Sequence, residues 1–257
     1  MTDRGPALTR QTVIVLGASR GIGRAVALTL AAAGATVVAV ARSNGDIRFG
    51  GTVESTVSEI LAAGGSASGL NCDLSEETQI DGLLDEVLAA HAGLDAIVNC
   101  AARLTSAPLA DLSADDWDES FRVNARGPFL LTKAAMRVMA EHGGGHIVHL
   151  TGSGAHVASH ARIATGASKA ALERLVIGAA LESDESVGVS LFDPAGLVKT
   201  ERAAILRPDL DWTGVPGPSE IARAVLSLLR RDPAAANGQR FVFDPSRPDL
   251  IRTEPDR

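Results

Sequence analysis

Short, uniformly apolar runs alternate along the chain with longer stretches in which apolar residues return every third or fourth position. The runs at 12–16 (TVIVL), 36–41 (TVVAVA), 67–72, 95–99 (DAIVN), 146–150 (HIVHL), 187–192 (VGVSLF) and 240–243 read as strands. Helical spacing covers 22–33, 52–63, 76–90, 113–141, 161–182 and 219–230. Gly34 stops the first helix. Ser75 and Ser113 are placed to cap the helices that follow them, whose first turns carry Glu76, Glu77, Asp115 and Asp116 against the helix dipole. Residues 43–51 (SNGDIRFGG) read as a turn-rich loop. Strands without polar alternation bury both faces, so the pattern predicts a doubly wound parallel sheet of about seven strands with helices on either side. No repeat or linker divides residues 1–257, which read as a single domain with loosely held tails at 1–11 and about 245–257.

Composition narrows the setting. There are 24 basic and 31 acidic side chains, a net charge of −7, and no basic tail or face. That balance argues against nucleic acid or an anionic membrane as partner. Two cysteines, Cys72 and Cys100, cannot build a disulfide framework, which suits a reducing cytoplasm. The first 11 residues are polar and charged, unlike a secretory signal, and no apolar run reaches 18 residues, so a cytoplasmic protein is expected. The chain has no tyrosine at all, which excludes any mechanism whose acid or base is a phenol.

The strongest local signal is Gly17-Ala18-Ser19-Arg20-Gly21-Ile22-Gly23, between the first strand and the first helix. A dinucleotide pyrophosphate would meet a helix N-terminus there. Gly17 permits the tight turn, Gly21 lets backbone approach phosphate, and Gly23 lets helix and strand pack closely. No Gly-Lys-Ser/Thr follows, so this is not the phosphate loop of nucleotide hydrolases. The second strand ends at Ala41-Arg42, where an acid would select NAD. Arg20 and Arg42 instead suit a 2′-phosphate dianion, as NADP(H) would present, through charge-assisted hydrogen bonds, unless both are solvated surface side chains.

The G-x-x-x-G-x-G spacing resembles the glycine turn of the short-chain dehydrogenase/reductase superfamily, with Leu16 in place of the usual threonine. The resemblance continues through Asp73-Leu74, Asn99-Cys100-Ala101-Ala102, Val123-Asn124-Ala125-Arg126-Gly127, Ser168-Lys169 and the segment from Pro194 to Thr200. It implies a Rossmann-type single domain. It also implies cofactor contacts from Gly17, Ser19, Arg20, Gly21, Ile22, Gly23, Arg42, Asp73, Leu74, Asn99, Ala101, Lys169, Pro194, Gly196, Val198 and Thr200.

Typical members of that family use a tyrosine as proton donor, a lysine that lowers its pKa and holds the nicotinamide ribose, a serine on the reacting oxygen and an asparagine that holds a relay water. Carried over, Asn124 and Lys169 are present, but the tyrosine position is Thr165 and the serine position is Gly152. An aliphatic hydroxyl is far less acidic than a phenol and several ångströms shorter, so Thr165 is no simple replacement. Ser153 or Thr151 could bind a carbonyl oxygen, or satisfy loop backbone instead. His156 and His160, in the loop 154–163, are candidate proton donors because histidine titrates near neutrality. The spacing of these two lacks the helical H-E-x-x-H context, and no metal is expected. His149 reads as a packed core residue and Cys100 as a small hydrophobe rather than a nucleophile.

Three functions follow. The first is an NADP(H)-dependent oxidoreductase acting on a carbonyl or alcohol of a small hydrophobic molecule, its proton supplied by water through Asn124 and Lys169 or by a loop histidine. The second is a non-redox enzyme on the same fold, a cyclase, dehydratase or lyase. The third is a catalytically silent NADP(H)-binding subunit. Residues 200–218, with Trp212, and 104–112 should flank the substrate. The resemblance also implies a homodimer or homotetramer through helices 113–141 and 161–182, and the wide apolar arc of the latter is consistent with it.

Overall fold

The computed structural model describes residues 8–42, 47–246 and 251–254. Strands β1 (Thr12–Leu16), β2 (Thr36–Ala41), β3 (Ser66–Asn71), β4 (Ala96–Asn99), β5 (Gly145–Leu150), β6 (Val187–Asp193) and β7 (Arg240–Phe243) are parallel. The sheet order is β3-β2-β1-β4-β5-β6-β7-β8. The eighth strand, β8 (Ile251–Glu254), runs antiparallel to β7 within the stretch expected to be a tail.

Alternation along each strand divides the core. Val13 and Val15 of β1 belong to one buried cluster, and Ile14 and Leu16 to the other. Helices α1 (Gly21–Ala32), α2 (Val53–Ala62) and α8 (Pro218–Leu229) cover the first face. The second is covered by α3 (Glu77–Ala90), α5 (Gly127–Glu141) and α6 (Ile163–Glu182). A strand filled with apolar side chains in both directions is what a sheet covered on both faces requires.

Several boundaries differ from expectation for local reasons. Ser75 does not cap α3: Glu76 occupies the cap position without a side-chain bond. The preceding turn is closed instead by Asp73, whose carboxylate accepts the Ser75 N–H at 2.9 Å. Ser113 does cap its helix, accepting the Asp116 N–H at 3.1 Å. The expected helix 113–141 contains α4 (Ala114–Phe121), then a π-helical turn at Arg122–Arg126, then α5. Such wide turns free backbone from the regular ladder and often sit at functional sites. Helix α6 begins two residues later than the periodicity suggests, because Ala161 takes a left-handed φ of 59° and its carbonyl accepts the Ala107 N–H at 3.0 Å. The segment expected beside the substrate contains the short helix α7 (Glu201–Leu206), and α9 (Pro233–Ala236) precedes β7. Of the turn-rich loop at 43–51, residues 43–46 lie outside the described set and Ile47–Phe49 forms a 3-10 turn.

Consecutive parallel strands diverge between β1 and β4, since β2 lies on one side of β1 and β4 on the other. In open α/β sheets ligands bind at the carboxyl ends of the strands at this crossing point.

Candidate active site

The turn leaving β1 approaches the end of β4 so closely that a side chain would obstruct it. Gly17 has φ +79°, and a Cβ there would stand 2.9 Å from the Ala101 backbone nitrogen. A Cβ on Gly23 would fall inside the van der Waals surface of the Gly17 carbonyl oxygen. The Gly17 and Ala18 N–H groups donate to the Val40 carbonyl at 2.8 and 3.1 Å, which binds the turn to β2. Arg20, the cap residue of α1, makes no side-chain capping bond. The Gly21 N–H instead donates to the Glu201 carboxylate, at 3.1 Å. A chain carboxylate thus lies where a helix N-terminus attracts an anion.

This turn floors a cleft of about 280 Å³. Gly17, Ser19, Arg20, Gly21, Ile22, Gly23, Arg42, Asp73, Leu74, Ala101 and Thr200 line it. Asn99, Pro194, Gly196, Val198 and Lys169 lie outside that lining. Asn99 is occupied nearby: its Oδ1 accepts the Ala101 N–H at 3.1 Å and its amide donates to His149 Nδ1 at 3.1 Å. Thr200 caps α7, accepting the Ala203 N–H at 3.2 Å.

Glu201 and Arg202, from the 200–218 segment expected beside the substrate, also line this cleft, as does Phe49, which was not anticipated. The buried Phe49 ring has the guanidinium carbons of Arg20, Arg48 and Arg202 at 5.9, 5.3 and 5.2 Å from its centroid. Arg48 beside Phe49 in a short loop was the local signal, Arg20 and Arg202 joining from distant segments, and cation–π attraction is its physical content. Arg42, half exposed, pairs with Asp73 at 4.0 Å.

Beyond the cleft, the candidate catalytic residues are not equivalent. Lys169 is buried, and its Nζ donates to the Leu150 carbonyl at 2.6 Å. Desolvation pulls its pKa down to about 8, opposed by neighbouring Cys100 and Glu173. Asn124, in the π-helical turn, accepts the Arg103 N–H at 2.8 Å and donates to the Arg103 carbonyl and Ser168 Oγ at 2.9 and 3.0 Å. Thr165 is engaged likewise: its hydroxyl accepts the Thr105 N–H at 3.0 Å and donates to the Thr105 carbonyl at 3.1 Å. Asn124 and Thr165 therefore staple the 103–105 loop to two different helices.

Ser153 and His160 are exposed. His156 turns away from solvent on one side, with Nε2 2.7 Å from the Glu173 carboxylate. His149 is fully buried; with Asn99 donating to its Nδ1, its Nε2–H donates to Thr132 Oγ1 at 2.9 Å. Burial, then Lys169, hold its pKa down to about 3, so it stays neutral. Desolvation pushes the Cys100 thiol up to about 12 and keeps it unreactive at neutral pH. No cluster of three or more potential metal ligands occurs among the described residues, and no helix there is long and apolar enough to cross a membrane.

A doubly wound sheet with a glycine cradle at the start of its first helix and a buried lysine defines a dinucleotide-binding enzyme scaffold. The chain belongs to the short chain dehydrogenase family, whose sequence model matches residues 11–211. It is 30% identical over 245 residues to a 3-oxoacyl-[acyl-carrier-protein] reductase of Synechocystis sp., covering 93% of this chain and 97% of that one. It is 30% identical over 247 residues to a D-threitol dehydrogenase of Mycolicibacterium smegmatis, covering 92% of each. A metagenomic short-chain oxidoreductase solved in complex with NADP superposes with a TM-score of 0.74 at 32% identity, covering 88% of this chain and 92% of that one.

Proposed function

We propose that this chain is an NADP(H)-dependent oxidoreductase that interconverts the carbonyl and alcohol of a small, largely apolar molecule, with Lys169 and a solvent molecule taking the place of the phenol. The observation that carries this reading is the buried Lys169 ammonium beneath the end of β5, in a chain whose glycine cradle is complete. NADP in the metagenomic relative supports the choice of cofactor, as do Arg20 and Arg42 at the edge of the cleft. Bound there, NADP(H) would supply or accept the hydride. Gly17, Gly23 and the α1 N-terminus would hold its pyrophosphate, Arg20 and Arg42 its 2′-phosphate, and Lys169 its nicotinamide ribose.

The proton is then this chain's own problem. The Thr165 hydroxyl is closed into two bonds with the Thr105 backbone. Ser153 and His160 point outward, and His156 is held by Glu173. Lys169 is the buried group whose pKa, about 8, lies within working range of neutrality. As the carbonyl becomes an alkoxide, its oxygen takes a proton from water, and the Lys169 ammonium replaces that proton. Reduction therefore needs the protonated lysine and alcohol oxidation the neutral one. Exposed Leu104, Leu197, Ile205 and Leu206 favour an apolar substrate. The outward faces of α5 and α6, carrying Phe129 and Leu181, are where a second copy would pair.

The test follows absorbance at 340 nm with NADPH and a panel of carbonyl compounds from pH 6 to 10. Reduction should fall above about pH 8, and alcohol oxidation with NADP should rise over the same range. Lys169→Ala should lower kcat/KM by at least ~10²-fold in both directions. Turnover of a substrate with no added or copurified cofactor would overturn the redox reading in favour of a lyase or dehydratase.

A further inference from the structure

Glu173 is an ionisable group buried where the reaction just described gives it no part. It lies on α6 one turn beyond Lys169, 7% exposed, and is held on several sides. Thr151 Oγ1 donates to its Oε1 at 2.5 Å, and His156 Nε2 lies 2.7 Å from its Oε2. Arg240 Nε, from β7, is 4.0 Å from Oε1. The same guanidinium reaches Asp193 Oδ2 at 2.5 Å, at the end of β6. Asp193 Oδ1 in turn accepts the Ala195 N–H at 2.8 Å, in the turn where Ala195 has φ +62°. One polar network thus joins the carboxyl ends of β5 and β6 and the first residue of β7 to α6.

The geometry at β5 is specific. Leu150 and Thr151 are consecutive. Lys169 holds the carbonyl of the first and Glu173 the hydroxyl of the second. Residues four apart on a helix share a face, so the two side chains act as neighbouring prongs. Breaking the pair would release the strand end from which Gly152 and Ser153 continue. Burying a carboxylate is costly unless it is paired and hydrogen-bonded, and here the Arg240 guanidinium, the His156 ring and the Thr151 hydroxyl meet it.

We propose that Glu173 is a positioning residue: with Lys169 it clamps Leu150 and Thr151, and its negative charge keeps the lysine protonated for cofactor and proton donation. The charged and titratable groups facing Lys169 are Cys100 just beyond β4, His149 from β5 and Glu173 from α6 itself. Those facing Glu173 are His156, Arg240 and Lys169. His149 and Cys100 stay neutral at working pH, so Glu173 is the anion in this set.

The inference rests on the NADP(H) reading above, and the readout separates the two. NADPH affinity is measured by fluorescence titration from pH 6.5 to 10 in the full chain, without substrate. In the unmodified protein, binding should weaken as Lys169 loses its proton. Glu173→Gln, which keeps shape and an acceptor for Thr151, should move that alkaline limb at least half a pH unit lower. Glu173→Asp should return it towards the original position, which a purely structural role would not require. An unmoved limb in a folded Glu173→Gln protein that still binds NADPH overturns the proposal and leaves the redox reading intact. Absence of NADPH binding in the unmodified chain overturns both. Should Glu173→Gln not fold, Thr151→Ala decides: NADPH affinity about threefold weaker supports the clamp, and unchanged affinity overturns it.

Discussion

His149 shows how much one buried side chain can commit. Its ring accepts from Asn99 on one side and donates to Thr132 on the other, so a second proton would face the Asn99 amide donor. Its pKa is held down to about 3, well below the unfolded value near 6.5. Between those values the unfolded chain binds a proton that the folded chain refuses. The stability this neutral ring contributes is therefore present above about pH 6.5 and is lost as pH falls below it. His146, also pushed down by burial, adds in the same direction. Chemical denaturation from pH 7.5 to 4.5 should show stability dropping by about 1.4 kcal/mol per pH unit on account of His149 once well below 6.5, with His146 adding to the fall. His149→Gln should start less stable and decline less steeply. An equal slope would show that the ring does not carry the effect.

At the scale of elements, α7 is the piece that has to respond to cofactor. Its first residue, Glu201, bonds the Gly21 N–H, and its second, Arg202, stacks over Phe49. A pyrophosphate entering at the start of α1 competes with that carboxylate for the same N–H and repels it. Glu201→Gln should therefore tighten NADPH binding about fivefold, the equivalent of about 1 kcal/mol. Isothermal titration at low salt would register it, and weaker binding would show that Glu201 instead helps seat the cofactor. None of this was readable in the sequence, because Glu201 and Gly21 are 180 residues apart and neither belongs to a shared motif. What could be read was whatever repeats locally. Six of the seven parallel strands follow from apolar runs, the exception being the half-polar edge strand β3, and the Ser113 cap from a serine before Asp115 and Asp116. The π-helical turn does not, since its residues keep helical spacing while the ladder widens by one position. Strand β8 escapes as well: its pairing comes from β7, in a segment with charged residues at alternate positions.

For the molecule as a whole, the asymmetry between its two ends is the main result. At the end where we propose that the adenosine binds, Arg20 and Arg42 line a cleft and no acid stands at the end of β2. Replacing both by alanine should weaken NADPH binding by 10²-fold or more, at about 1.5–3 kcal/mol for each charge-assisted hydrogen bond, while NADH binding changes little. A parallel loss for both nucleotides would refute discrimination at the 2′-phosphate. At the nicotinamide end, the missing tyrosine was visible at position 165, yet its consequence was not. Only the structure shows that Thr165 and Asn124 spend their polar atoms on the 103–105 backbone, and that Glu173 stands behind Lys169.

The staple at Thr165 has an implication for stability as well as chemistry. A tyrosine restored there gains a phenol but removes both partners of the Thr105 N–H and carbonyl, in a residue that is itself buried. Leaving such groups unsatisfied costs about 1–3 kcal/mol each. Thr165→Tyr alone should thus lower the melting temperature without raising reductase turnover. Combined with Gly152→Ser and a redesigned 103–107 loop, it should recover both. Thr165 thus has a second role in holding the 103–105 backbone, and a phenol introduced there alone meets a penalty before any benefit.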